Sequence, residues 1–133
     1  MNLLLVVTAV IGVLIIFNTV SGMLGNRGIT MVDAAGAKKL TEDSDIAIID
    51  VRTPQEYKNG HLRMSRLIPV NEIGRRAGEI ESLKDSPVLV YCRSGHRSTI
   101  AARILKKRGF TRVSNMTGGI IAWQAAGYEV TKK

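Results

Sequence analysis

The apolar positions of this 133-residue chain fall into one long block followed by a series of short ones. The block, Leu3 to Phe17 (LLLVVTAVIGVLIIF), has no polar face, and its apolar character continues to Leu24. As a helix it spans roughly 33 Å at about 1.5 Å per residue, which matches a hydrocarbon core of about 30 Å. The expectation is one membrane-spanning helix over residues 3–24. A cleaved secretory signal is the competing reading, but Met1 and Asn2 supply no basic start and only a poor small-x-small stretch lies around Val20 to Gly22. A buried core helix is disfavoured because one side of such a helix is normally polar.

Beyond a short linker at Gly25 to Gly28, strand and helix patterns alternate. Ile29 to Val32 reads as a short strand, and Asp33 is placed to cap a helix running to Leu40. Ile46 to Val51 (IAIIDV) and Pro87 to Tyr91 (PVLVY) are continuous apolar runs, as expected of strands buried on both faces of a parallel sheet. Thr53-Pro54 opens a helix. Arg66 to Val70 is a weak strand, Glu72 to Leu83 a helix interrupted by Gly74 and Gly78, and Ser98 to Arg108 a clear helix. Arg112 to Met116 is the last strand, and Gly118-Gly119 opens a closing helix through Trp123 to Ala126. This alternation predicts an α/β domain over 27–133, with a mostly parallel sheet covered on both faces, following an anchor over 1–26. Ligands of such sheets bind beyond the carboxyl ends of the strands, here Asp50-Val51-Arg52 and Tyr91-Cys92-Arg93.

Charge sharpens this division. All 19 Lys and Arg and all 11 Asp and Glu lie at or beyond Arg27, for a net charge of +8. Arg27, Lys38 and Lys39 follow the apolar block closely and no basic residue precedes it, which orients the domain toward the cytoplasm as a single-pass protein of the inner membrane; an exported domain is the alternative. The positive excess suits an anionic lipid surface. Nucleic acid is not an expected partner, because only five aromatic residues follow the block and no recognition motif is present. Lys106-Lys107-Arg108 complements a helix dipole. The single cysteine excludes an internal disulfide, and with two histidines there is no Cys/His cluster of zinc-site spacing, so neither metal nor cofactor is expected.

That cysteine sits in the decisive segment. Val88 to Ser98 (VLVYCRSGHRS) is a buried strand that delivers Cys92 into a short polar loop with a helix directly after it. Backbone N–H groups curling around the sulfur, the positive helix end, and the cations Arg93 and Arg97 are each expected to lower the thiol pKa. At an ordinary pKa of about 8.5 roughly 3 per cent is thiolate at pH 7, and a fall of about two units makes it roughly three-quarters. Gly95 supplies backbone freedom at the sharp turn, and Ser98 is placed to cap the helix. An inert buried cysteine would not need this surrounding of arginines, glycine and serine.

The residues now carry a resemblance. Cys92-Arg-Ser-Gly-His-Arg-Ser98 resembles the active-site loop of rhodanese-type sulfurtransferases. Asp50-Val-Arg52 followed by Glu56-Tyr57 and Gly60-His61 is similar to their first signature, and Gly118-Gly119 with Trp123 to their closing segment. The matches cover nearly all of residues 30–130 in the right order. Met64-Ser65 departs from the family, which usually has a Gly-Ala pair there. The resemblance implies a central parallel sheet of about five strands with helices on both sides, and a catalytic Cys92 carrying sulfur as a persulfide. In that mechanism Cys92 attacks the sulfane sulfur of a small anionic donor such as thiosulfate or a persulfide, and a thiol or cyanide removes it. Backbone groups of Arg93, Ser94, Gly95, His96, Arg97 and Ser98 would hold the persulfide, with Arg93 and Arg97 attracting the donor. His96 either donates to the site or is a solvated loop residue. Asp50 and Arg52 either brace the loop's arginines or form a local turn network. Glu56 and His61 either support the site or order the 53–62 segment, and Trp123 is expected in the core.

Other functions compete. One is a binding or redox-sensing module. Another is a phosphatase or arsenate reductase, but only four residues separate Cys92 from Arg97, where the related cysteine phosphatases use five, and Ser98 stands where their arginine would be.

Overall fold

The computed structural model describes residues 2–25 and 28–133. Asn26 and Arg27, which belong to the expected linker and to the charge asymmetry that orients the chain, lie outside the described residues. The first element, α1 (Leu3–Gly25), contains the uncharged stretch Leu3–Val20, 18 residues long, none of it buried. After it come β1 (Ile29–Val32), α2 (Ala34–Leu40), β2 (Ala47–Asp50), α3 (Pro54–Lys58) and β3 (Ser65–Leu67). Next are α4 (Ile73–Arg76), a 3-10 helix (Ala77–Leu83), β4 (Val88–Tyr91), α5 (His96–Lys107), β5 (Val113–Met116) and α6 (Gly119–Ala125).

The five strands form one sheet in the order β1-β5-β4-β2-β3, every pair parallel. The central strands explain their own sequences. In β4 all four residues are buried, with Leu89 and Tyr91 in one core and Val88 and Val90 in the other. A strand covered on both faces has no polar side to present, so its apolar run is continuous. One core lies against α4 and α5 and gathers Ile49, Ile68, Ile73, Val90, Leu105 and Phe110. The other lies against α2 and α6 and gathers Ala37, Ile48, Leu89, Met116, Ile120 and Trp123.

Local signals start the helices where expected at two places. Asp33 accepts the Gly36 N–H at 2.8 Å to cap α2. Thr53 caps α3 in a reciprocal pair with Glu56, with Pro54 in the first turn.

Three local features depart from the sequence pattern. The helix expected over Glu72 to Leu83 divides into one α turn and a 3-10 helix, with Ile80 at φ −118° and ψ 19°. Ile73, Ala77 and Ile80 are all buried, and a straight helix weakened by Gly74 and Gly78 yields to the tighter winding that lets Ile80 reach the core. The weak strand is shorter and starts earlier, at Ser65. Met64 adopts φ 66° and is 83 % exposed. Met64 therefore holds a left-handed turn that favours glycine, at a cost of about 1 kcal/mol for a residue with a Cβ.

Candidate active site

Cys92 follows β4 at the carboxyl edge of the sheet, and its side chain is 1 % exposed. The next residues leave the sheet as a tight loop because Gly95 takes φ 106°, a conformation that a side chain would disfavour. The loop folds back so that the Gly95 N–H donates to Cys92 Sγ at 3.1 Å. Burial pushes the thiol up, but hydrogen bonds from the Ser98 hydroxyl and from the backbone N–H groups of Ser98, Gly95 and Ser94 outweigh it, and the net pKa is lowered. The sulfur therefore rests in a nest of neutral donors.

Two expectations about this loop need correction. Ser98 does not cap α5: the helix starts at His96 with Gly95 at its cap, and Ser98 lies fully buried inside the first turn. Its hydroxyl faces the sulfur and also the Gly95 carbonyl, 3.2 Å away. Arg97 is not a free cation for a donor. Its two terminal nitrogens bind both carboxylate oxygens of Glu56 at 2.7 and 2.9 Å, so its charge is locally neutralised, and the thiolate is only a minor influence on it. The Arg93 and His96 side chains are exposed and make no hydrogen bond or ion pair among the described residues.

Glu56 thus joins two structures, closing the turn at Thr53 and holding the loop through Arg97. The Arg97 hydrogen bonds take its carboxyl from 4.5 to about 2. For an acid whose folded pKa is lowered, the stabilisation is complete above the ordinary value and is lost as pH falls through the lowered one. A Glu56→Gln protein is expected to be about 1 kcal/mol less stable than wild type at pH 7. In thermal melts this difference should shrink as pH falls from about 4.5 toward 2; a gap that stays constant over that range would overturn the assignment.

Asp50 and Arg52 form the local network and do not reach the loop's arginines. Arg52 binds both carboxylate oxygens of Asp50, the closest contact being 2.7 Å, and donates to the Gly60 carbonyl at 2.7 Å. The Tyr91 hydroxyl donates to Asp50 at 2.6 Å and accepts the Leu62 N–H at 3.0 Å. Burial, reinforced by the Asp50 carboxylate, pushes the Tyr91 phenol up and keeps it a donor. This cluster ties the 60–65 segment to the end of β4, one residue before the cysteine. His61 is buried, stacks on Tyr57 at 3.6 Å, and contacts the carbonyls of Tyr57 and Lys133, so it orders that segment and meets no residue of the loop.

The loop has a second support that the sequence reading did not connect to it. Ile120 and Ile121, at the start of α6, donate their N–H groups to the carbonyls of Cys92 (2.9 Å) and Arg93 (3.2 Å). That approach is possible because Gly119 has no side chain: a Cβ there would lie 2.4 Å from the Arg93 carbonyl. On the other side, Thr99 donates to the Gly95 carbonyl at 2.7 Å and accepts from buried Asn115 at 3.0 Å. The paired glycines were the only sequence signal of these supports; nothing marked Asn115.

The cysteine in this ring of donors has a lowered pKa, and comparison with known proteins identifies the domain around it. The rhodanese-like domain profile matches residues 33–126. The chain belongs to the rhodanese-like family. It is similar to a protein named sulfurtransferase from Allochromatium vinosum, 38 % identical over 94 residues, which are 71 % of this chain and 86 % of that one. It is also similar to the thiosulfate sulfurtransferase GlpE of Pseudoalteromonas translucida, 32 % identical over 102 residues, 77 % of this chain and 95 % of that one. Among solved structures, a rhodanese-related protein from Thermoplasma volcanium superimposes with a TM-score of 0.69 at 29 % identity, covering 78 % of this chain and 99 % of the other. Sulfur transfer is the general chemistry that these rhodanese-like relatives support.

A separate cavity of about 690 Å³ lies on the α2 and α6 side, lined by Ile48, Leu62, Met64, Trp123 and Tyr128 among others, and includes no residue of the 92–98 loop. Trp123 belongs to the core below it, with its indole N–H on the Glu129 carbonyl.

Proposed function

We propose that this chain is a membrane-anchored sulfurtransferase that carries sulfur on Cys92. The observation that carries the proposal is the buried sulfur in its ring of donors, with the Gly95 N–H at 3.1 Å and a lowered pKa. In the first half-reaction the Cys92 thiolate attacks the outer sulfur of thiosulfate. An S–S bond to the enzyme forms, the sulfur–sulfur bond of the donor breaks, and sulfite leaves with the electron pair. The resulting persulfide anion lies among the N–H groups of Ser94, Gly95 and Ser98, while Arg93 at the rim attracts the donor. A thiol or cyanide then attacks the outer sulfur and returns Cys92 as thiolate. Each half-reaction balances without a redox partner or metal. A persulfide donor enters the same cycle, with a thiolate leaving in place of sulfite.

The uncharged Leu3–Val20 stretch anchors the domain in the inner membrane, with the basic residues after it on the cytoplasmic side. Phosphoryl transfer is disfavoured by the loop itself. A phosphate cradle needs an arginine free to bind equatorial oxygens, whereas Arg97 is committed to Glu56 and Ser98 occupies the next position.

Intact mass after brief thiosulfate exposure tests the reading. Wild type is expected to gain one sulfur atom, released by cyanide as thiocyanate. No gain, or hydrolysis of a phosphomonoester faster than thiosulfate is consumed, would sink it.

A further inference from the structure

The parallel sheet gives the domain two unlike ends. Cys92 lies at the carboxyl edge, and the anchor joins at the amino edge: α1 ends at Gly25 and β1 begins at Ile29. Four chain steps of about 3.8 Å keep the start of β1 within roughly 15 Å of the helix end. Helix α5 runs back from the cysteine loop, so its last turn, with Lys106 and Lys107, reaches the amino edge, and the Lys106 side chain lies over Gly28. Arg108 follows, and Arg112 immediately precedes β5, the strand beside β1.

These four cations are poorly compensated. The side chains of Lys106, Lys107 and Arg112 make no hydrogen bond or ion pair among the described residues. The Arg108 side chain donates to the Gly74 carbonyl and stays exposed. The helix dipole accounts for the residues of the last turn but not for Arg112. Glu81 pairs with Lys84, and Glu42, Asp43 and Asp45 lie before β2, which β4 separates from β5. Asp85, bonded only to the neutral Thr111 hydroxyl, keeps its charge beside Arg112, so the four cations keep a net positive excess.

We infer that the surface formed by Lys106, Lys107, Arg108 and Arg112 docks on anionic lipid headgroups beside the anchor, so that the Cys92 loop opens away from the membrane. The inference rests on the anchored reading of α1. It adds a defined contact face, and it means that sulfur donor and acceptor reach Cys92 from the aqueous side. Strands of four residues rising about 3.3 Å each hold the cysteine roughly 13 Å above the docked edge.

The test uses the full chain reconstituted into vesicles of phosphatidylcholine alone or of phosphatidylcholine with phosphatidylglycerol. A membrane-impermeant acylating reagent reads the lysines by mass spectrometry, with exposed Lys58, on α3 near the carboxyl edge, as reference. Lys106 and Lys107 are expected to react about 5-fold more slowly, relative to Lys58, on the anionic vesicles at low salt, and equally on both at high salt. An Arg108→Glu/Arg112→Glu protein is expected to float with both vesicles as wild type does and to lose the difference. Flotation with both vesicles but identical lysine reactivity would overturn the docking face and leave the anchor standing. A chain that fails to float with either would overturn the anchor, and the docking face with it.

Discussion

A Cys92→Ser protein is expected to fold as wild type does and to take up no sulfur, with thiosulfate turnover reduced at least ~10³-fold. Serine is nearly the same size, so the two cores that meet beside β4 keep their packing, and the Gly95 N–H still finds an acceptor. The chemistry does not survive. The donors around Cys92 stabilise a thiolate whose pKa they have lowered, but a hydroxyl ionises far outside the reach of such a shift and forms no stable bond to sulfane sulfur. Paired measurements decide it: near-identical urea unfolding curves, and intact mass after thiosulfate exposure. Sulfur addition to the serine protein at the wild-type rate would remove Cys92 from the mechanism.

Gly119→Ala is expected to damage the site from a distance of 27 residues along the chain. The new Cβ would lie 2.4 Å from Arg93 carbonyl atoms and 2.5 Å from the Cys92 carbonyl oxygen, all backbone, and the residue already sits at φ 56°. Strand β4 cannot retreat, because Val90, Tyr91 and Cys92 are packed in the two cores. Helix α6 must withdraw, breaking the N–H bonds of Ile120 and Ile121 to the loop. A stability loss of at least about 4 kcal/mol is expected in urea unfolding, with sulfur loading slowed at least ~10²-fold. Gly127→Ala is the control. Its φ is 85°, but nothing lies within 4 Å of the added methyl, so it should cost only about 1 kcal/mol of backbone strain and leave loading unchanged. Equal behaviour of the two alanine proteins would show that the close approach of α6 to the loop is unimportant.

The features legible in the chain are those encoded by neighbours in sequence. The apolar runs of β2 and β4, the capping pair of Thr53 and Glu56, the Asp33 cap and the glycine turn after Cys92 all express their structure within a few residues. The segment Glu72 to Leu83 departs from its helical pattern because its 3-10 winding answers to the place where Ile80 is buried, which the local pattern does not contain. The pairing of Arg97 with Glu56 is absent from the local pattern for the same reason. Glu56 and Arg97 are 41 residues apart and meet only because β2 and β4 pair in the sheet, carrying the start of α3 next to the start of α5. Asp50 and Tyr91, also 41 apart, are register partners in that same strand pair.

By itself the sequence determined the alternating α/β architecture, the charge-free first segment and the loop that sets the cysteine among polar residues, because period, charge and turn chemistry are local properties. Only the tertiary structure decided which groups lower the pKa of Cys92. It placed Ser98 beside the sulfur instead of at a helix cap, assigned Arg97 to Glu56, and brought Gly119 under the Cys92 and Arg93 carbonyls. These are pairings between distant segments, set by strand order and register, and the burial that makes each of them strong exists only once the sheet has closed around them.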